Sequence, residues 1–521
     1  MLRRSILSLG VCIALPAMPV AAHAQGLGTI SFPNSGGAAA QPSFIRGVLL
    51  LHSFEYPRAA EAFREAQKAD PDFALAYWGE AMTHTHQVWN EQDLEAARGV
   101  LSRLGRDATT RRAKAKTHRE QMYMDAVETL YGEGSKAKRD TLFAIAIERL
   151  TAAHPDDDEA KVFHALALLG LNQSVRDTPS YMRAGAIAEE VLRRNPDHPA
   201  AAHFVIHAFD DPVHAPLGLW AARAYSRIAP DAPHAQHMTT HIFVAMGMWD
   251  DVVSQNIVAA GHDHGAMRAG HYTAWLEYGY LQQGRYADAR KHLETVRANV
   301  GSPPLRGEPG SVVMMRAHYL IDSERWTDSV AQWNVATEAM FAPVRAADAF
   351  ATGYAALKAG NRARSEAALA ALEALRTRDR NADVVPRILG GELRAALLAV
   401  SGRTDSALTI LRDVMKLEDA MPVEYGPPAV VKPSHELAGE VLLAAGRAAE
   451  AQRHFARALE LTPGRSRALL GLARAAAAAG DHAVSVRAAE QLLRNWHSAD
   501  ANVPERAEVE RLARGSSAAS R

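Results

Sequence analysis

With 521 residues, 48% of them hydrophobic, and a formal charge of −1, the chain has ample material for a core and no charge excess for holding a nucleic acid or an anionic membrane. The basic stretch Arg111–Lys116 is short, and a solvated linker accounts for it. Residues 1–24 read as a secretory signal: Arg3 and Arg4 give the positive start, Ile6–Val20 the apolar middle, and Ala22-His23-Ala24 the cleavage site. The apolar run is too short, and too interrupted by proline, to span a membrane. The only cysteine, Cys12, falls inside this signal in a poor lipoprotein context. The mature chain therefore has no disulfide and no thiolate ligand. Its expected location is the periplasm or the outside of a bacterial cell, where a metal site would have to use histidine, carboxylate or methionine. Residues 25–42 are rich in glycine, alanine and serine and read as a mobile lead-in.

From Phe44 onward apolar residues recur at three- and four-residue steps, the period of a helix. Gly47, Tyr56, Ala59, Phe63, Ala66 and Pro71 suggest a helical hairpin. Gly47 and Ala59 let two helices approach, Phe63 fills the space between them, and Pro71 closes the second helix. Gly439, Ala451, Phe455, Ala458 and Pro463 repeat that spacing near the far end, with Gly446 at the turn. Between them lie weaker copies: one from Val162 to Pro196 with Ala184 and Ala188 packing, and two ending near Pro230 and Met267. Further turns fall at Gly284-Arg285-Tyr286, Glu324-Arg325-Trp326, Gly360-Asn361 and Gly402-Arg403. This makes roughly ten to twelve helical pairs of about 34 to 40 residues each. The pattern resembles the tetratricopeptide repeat (TPR) superfamily. The fold class expected is all-α, a TPR-like α-solenoid over residues 43–503. Loops at Gly301–Gly310 and Met421–Pro433 interrupt it, and a charged mobile tail follows over 504–521. The resemblance implies a right-handed superhelix whose first helices line a concave groove that binds partners.

The stretch from Pro199 to Asp250 is where function concentrates. His203 and His207 are four apart, as are His237 and His241, and each of the second pair lies 34 residues after its counterpart. Four residues is just over one helical turn, so each pair shares a helix face. The repeat period then puts equivalent faces on neighbouring helices, about 10 Å apart. Four imidazoles could thus converge on one ion at about 2 Å per bond. Ten of the 23 histidines fall between His198 and His271. The candidate metal ligands are His203, His207, His237 and His241, joined by His234, with Asp210 as a ligand or as an acceptor orienting an imidazole. His214 follows in the turn, His271 opens the next helix of the groove, and His318 is the equivalent position one unit on. Imidazole sites suit copper, iron, zinc or nickel.

Other features are weaker. His84 and His86 point to different helix faces unless their helix has ended. His262-Asp263-His264 reads as a solvated turn, and His164 as a core residue. Glu436 and Glu440, four apart after the rigid Glu424–Pro428 insertion, read as a solvated face that could also meet a cationic group. Trp220, Trp249, Trp275, Trp326 and Trp333 read as core. Phosphate-binding and dinucleotide loops, the GxSxG elbow, HExxH and CxxCH are absent from the sequence. Two readings follow. In one, the groove holds a transition metal (copper, iron or zinc). The protein is then a metal carrier or a metal-dependent oxidoreductase or hydrolase acting on a small molecule, with Asp210 or Asp211 as the nearest base. In the other, a metal-free groove binds a peptide, with an envelope protein as the candidate partner, and weakens as histidines charge below about pH 6.

Overall fold

The computed structural model describes residues 22–23, 26–171, 176–261, 267–305, 307–377, 383–423 and 426–515. Most of the expected signal, Cys12 included, lies outside these residues, as do His262–His264, Glu424, Tyr425 and the last six residues of the tail. Among the described residues there are twenty-five α-helices. Two short strand pairs accompany them, Ala22–His23 with Thr29–Ile30 and Thr85–His86 with Glu91–Gln92. Successive helices pack on one another along nearly the whole chain, so the fold is the expected all-α TPR-like solenoid. No described helix is long and apolar enough to cross a membrane.

The hairpin logic holds at both ends. Phe63, fully buried, occupies the space where a Cβ on Gly47 would come within 2.8 Å of its ring, and Gly79 on the following helix is closer still. Phe455 sits in the same way between Gly439 and Gly471. Burying such a ring contributes about 2–3 kcal/mol. The absent side chains of the glycines let it enter at all. Glycines in left-handed conformation mark the turns between paired helices, Gly446 at φ +74° among them.

Three expectations fail. The lead-in is pinned: Thr29 donates its backbone N–H to the Asp197 carbonyl (2.9 Å), and Phe32 is buried against Phe44, Trp78 and Tyr123. A segment poor in helix formers still folds when one large ring finds a core. The tail is helical over Arg506–Ala513, with Val509 and Leu512 buried and Glu508 paired with Arg474 (2.6 Å). Trp220 is 46% exposed and no core residue, unlike Trp249 and Trp275.

The C-terminal units reach back to the histidine repeats. Trp249 Nε1 donates to the Gly464 carbonyl (3.0 Å), the Ser466 N–H to Gln282 Oε1 (2.9 Å), and Arg465 to the Tyr278 hydroxyl (3.2 Å). Gly426, in the loop before these units, lies on the ring of Trp275; its φ of +106° and the absent Cβ both serve that contact. A cleft of about 730 Å³ remains between Asp210, Asp211 and Val213 on one side and Glu418, Asp419 and Arg457 on the other.

Candidate metal centre

The helix Pro199–Phe209 carries His203 and His207, and the helix Pro233–Ala245 carries His234, His237 and His241. Each starts on a proline, which lacks only an N–H that the first turn leaves unused. Both are buried along nearly their whole length, so their histidines enter the interior. His203, His207, His237 and His241 are 0–3% exposed and His234 7%. The groove face implied by the family resemblance is thus closed here. Phe54 covers His203 and His234, and Trp275 covers His237 and His241.

All six candidate ligands come together. Ring centroids are 4.8 Å apart for His203–His207, 5.1 Å for His203–His234, 5.6 Å for His207–His241 and 5.2 Å for His237–His241. Together with His271, their donor atoms form two triads, His203/His207/His234 and His237/His241/His271, and a group His207/Asp210/His241 that joins them; within each group the atoms lie inside 4.8 Å of one another.

Hydrogen bonds decide which ring nitrogens are bare. Asn256 donates its amide to the Val252 carbonyl (3.0 Å), which turns Oδ1 toward His237 Nδ1 (2.8 Å). An acceptor there requires the proton on Nδ1 and leaves Nε2 of His237 as a lone pair. Asp210 Oδ2 receives His241 Nδ1 (3.1 Å), with His207 Nδ1 at 3.4 Å from the same oxygen. The His52 carbonyl receives His203 Nδ1 (2.8 Å). Nε2 of His203 and of His234 are buried and find no hydrogen-bond partner among the described residues. His241 Nε2 and His237 Nε2 face each other at 3.3 Å. Imidazoles held at Nδ1, with Nε2 among the neighbouring imidazoles, are in the form that binds metals.

The electrostatics agree. Burial, with neighbouring imidazoles adding to it, holds His203, His234 and His237 well below the usual imidazole value. Burial lowers His241 too, outweighing Asp210. Asp210 is pulled the other way. Burial alone would raise it, but the hydrogen bonds from His207 and His241 and the Arg176 guanidinium (2.8 Å) hold it far below the carboxylate range. Such a carboxylate orients imidazoles and is a poor base at neutral pH.

Sequence reasoning left part of the site unassigned. His271 lies 34 residues after His237, so the repeat period already marked it; its ring is 4.4 Å from His237. The same step from His241 reaches Trp275, which stacks on His241 at 4.6 Å and ends the series. Arg176 and Asn256 carried no pattern. Nor did His52 and Glu159, which form a separate buried group with His198: Glu159 accepts from His52 Nε2 (2.7 Å) and lies 3.3 Å from His198 Nε2. Against the effect of burial, these two imidazoles bring the Glu159 carboxyl down to about 2. His318 stays apart, beside Asp322 and Tyr278, and His214 caps onto Asp211 (2.8 Å). The helix Ala74–Met82 ends before His84, which frees His86 to stack on Tyr56 (4.0 Å). His164 is buried, as expected. The solvated face expected at Glu436 is instead a closed ion network: Glu436 pairs with Arg465 (2.8 Å) and Lys432 (2.8 Å), all 0–1% exposed.

Exposed residues and one cleft border the centre. His271 is exposed at the start of its helix, and Trp89, 40% exposed, lies 5.9 Å from His234. On the other side the cleft reaches Asp210, and across it burial pushes the Glu418 carboxyl up to about 7.

Tetratricopeptide repeat family models match residues 46–109 and 442–508. The chain is a tetratricopeptide-repeat protein. Among solved structures it is similar to a chain of the APC/C hetero-tetramer Cut9-Hcn1, at 10% identity over 92% of this chain and 77% of that one, with a TM-score of 0.35. It is also similar to the human IFIT1 dimer with m7Gppp-AAAA, at 11% identity over 90% and 92%, with a TM-score of 0.37. No curated protein matches. Tetratricopeptide repeats point to a protein-interaction scaffold, and the buried histidine centre is an addition to that scaffold.

Proposed function

We propose that this tetratricopeptide-repeat protein is an exported metalloprotein, with a transition metal (copper, iron or zinc) bound by the histidines of Pro199–Phe209, Pro233–Ala245 and His271. One observation carries the reading. The Nε2 atoms of His237 and His241 lie 3.3 Å apart, with the Nδ1 of each held by a side-chain acceptor. Two imidazole nitrogens this close share a cation, either a proton in a hydrogen bond or a metal ion. Two metal–nitrogen bonds of about 2.0–2.1 Å at a tetrahedral angle would hold the nitrogens about 3.3–3.4 Å apart. The all-imidazole donor set, with no cysteine left after signal removal, suits these metals. Export rests on the signal pattern of residues 1–24. The cleft beside Asp210 offers room for a small molecule, which makes metal-dependent oxidase and hydrolase assays the natural screen.

The test is elemental analysis of untagged protein purified from the periplasm. The expected result is at least one equivalent of copper, iron or zinc, lost in His237→Ala/His241→Ala while helix content survives. Full loading of that double variant overturns the reading. So does a metal-free protein that takes up none when it is supplied. That last outcome returns the function to the repeat scaffold alone, with a peptide partner on another surface.

A further inference from the structure

Six imidazoles are more than one ion uses, since a zinc-type site takes about four donors. The imidazoles fall into two triads, and a third group, His207, Asp210 and His241, joins one member of each. Each triad has its own anchors. His203 is held by the His52 carbonyl, and His237 by Asn256. Asp210 serves both: one carboxylate oxygen meets Nδ1 of His241 at 3.1 Å and Nδ1 of His207 at 3.4 Å, one ligand from each triad. A single carboxylate thus turns one imidazole into each of two adjoining spaces.

We propose that the centre is dinuclear, with one copper ion per triad, and that the pair takes a small bridging ligand of the size of hydroxide or dioxygen. This rests on the metal reading above. Spacing supports the pair: rings across the boundary are 5.6 Å apart for His207–His241 and 6.2 Å for His234–His237, close enough for two ions to share one small ligand. Charge supports copper. The ligands are neutral, and Asp210, the carboxylate that touches them, is already offset by Arg176 at 2.8 Å. Two dications would leave a large uncompensated charge in a buried site, which is costly. Two monovalent copper ions halve that charge, and a bridging anion reduces it further.

The test is anaerobic titration of the full-length apoprotein with copper(I), supplied as its acetonitrile complex and buffered by a chromophoric chelator that silences weak surface histidines. Two equivalents should bind. His203→Ala/His234→Ala and His237→Ala/His271→Ala should each retain one, with helix content checked by circular dichroism. A plateau at one equivalent in the unmodified protein overturns the pair while leaving the metal reading intact, and needs no variant to fold. No uptake at all overturns both. A single equivalent abolished by either double variant would mean one ion shared by both triads, and also refutes the proposal.

Discussion

Asn256 gives the sharpest test of the tautomer argument, because it touches no metal and no solvent. It is fully buried, and its two polar ends are both used: the amide on the Val252 carbonyl, Oδ1 on His237 Nδ1. Asn256→Leu keeps the branched shape and the number of side-chain heavy atoms and removes the acceptor. In the apoprotein His237 Nδ1–H then lacks a partner in an apolar setting, which costs about 1–3 kcal/mol. The larger consequence concerns metal. Without the acceptor the ring can rotate, or move its proton to Nε2, and losing such an orienting partner lowers metal affinity about 10–100-fold. Two measurements separate these effects: thermal unfolding of the apoprotein, and chelator competition for the metal-loaded protein. Both should fall. A variant that loses stability but binds metal as tightly as the parent would refute the orienting role. A variant unchanged in both would refute the hydrogen bond itself.

Acid should loosen the apoprotein. An unfolded imidazole titrates near 6.5, whereas burial holds His203, His234, His237 and His241 below that. The unfolded chain therefore binds more protons below pH 6.5. Stability is complete above that pH and is lost as pH falls, by up to about 1.4 kcal/mol per unit for each histidine. Apoprotein melting temperatures that stay flat between pH 7 and 5 would contradict this. Phe63→Ala should cost about 3–5 kcal/mol, because Gly47 and Gly79 cannot fill the hole; denaturant titration with an unchanged slope reads it. Arg465→Met should cost about 3–5 kcal/mol by leaving Glu436 and Asp322 buried without their guanidinium, and a change under 1 kcal/mol would show the network to be dispensable.

The parts of this molecule that were legible in the sequence are those that repeat. Gly47, Ala59 and Phe63 recur as Gly439, Ala451 and Phe455 because every hairpin must solve the same packing problem. The histidine pairs were legible for the same reason, since a fixed period turns equal sequence positions into equal places in space. What escaped was whatever happens once. Asn256 and Arg176 meet the centre from other elements, and nothing in their local sequence says so. Glu159 finds His52 and His198 across 107 and 39 positions of chain. Glu436 read as solvated because a helix face shows its own pattern and not what packs on it; Arg465 and Lys432 arrive from a neighbouring repeat and an insertion. The lead-in failed as an expectation through composition: Leu27, Ile30 and Phe32, all buried, outweigh the small residues around them.

The same contrast explains why a solenoid can hold a buried centre at all. An open superhelix exposes its inner face, and histidines there would be hydrated and interchangeable. Here single features close that face: Phe54 from the first hairpin, Trp275 at the position where the histidine series stops, and the Gly426 loop lying on Trp275. The period supplies ligands at equal intervals, and the exceptions to the period remove the water. Gly426→Ala separates the two contributions, since a methyl there collides with Trp275 without touching a ligand. It should leave the imidazoles in place yet raise hydrogen exchange in Pro233–Ala245 and speed metal release to a chelator. Unchanged exchange and release would mean that the loop covers Trp275 without closing the centre.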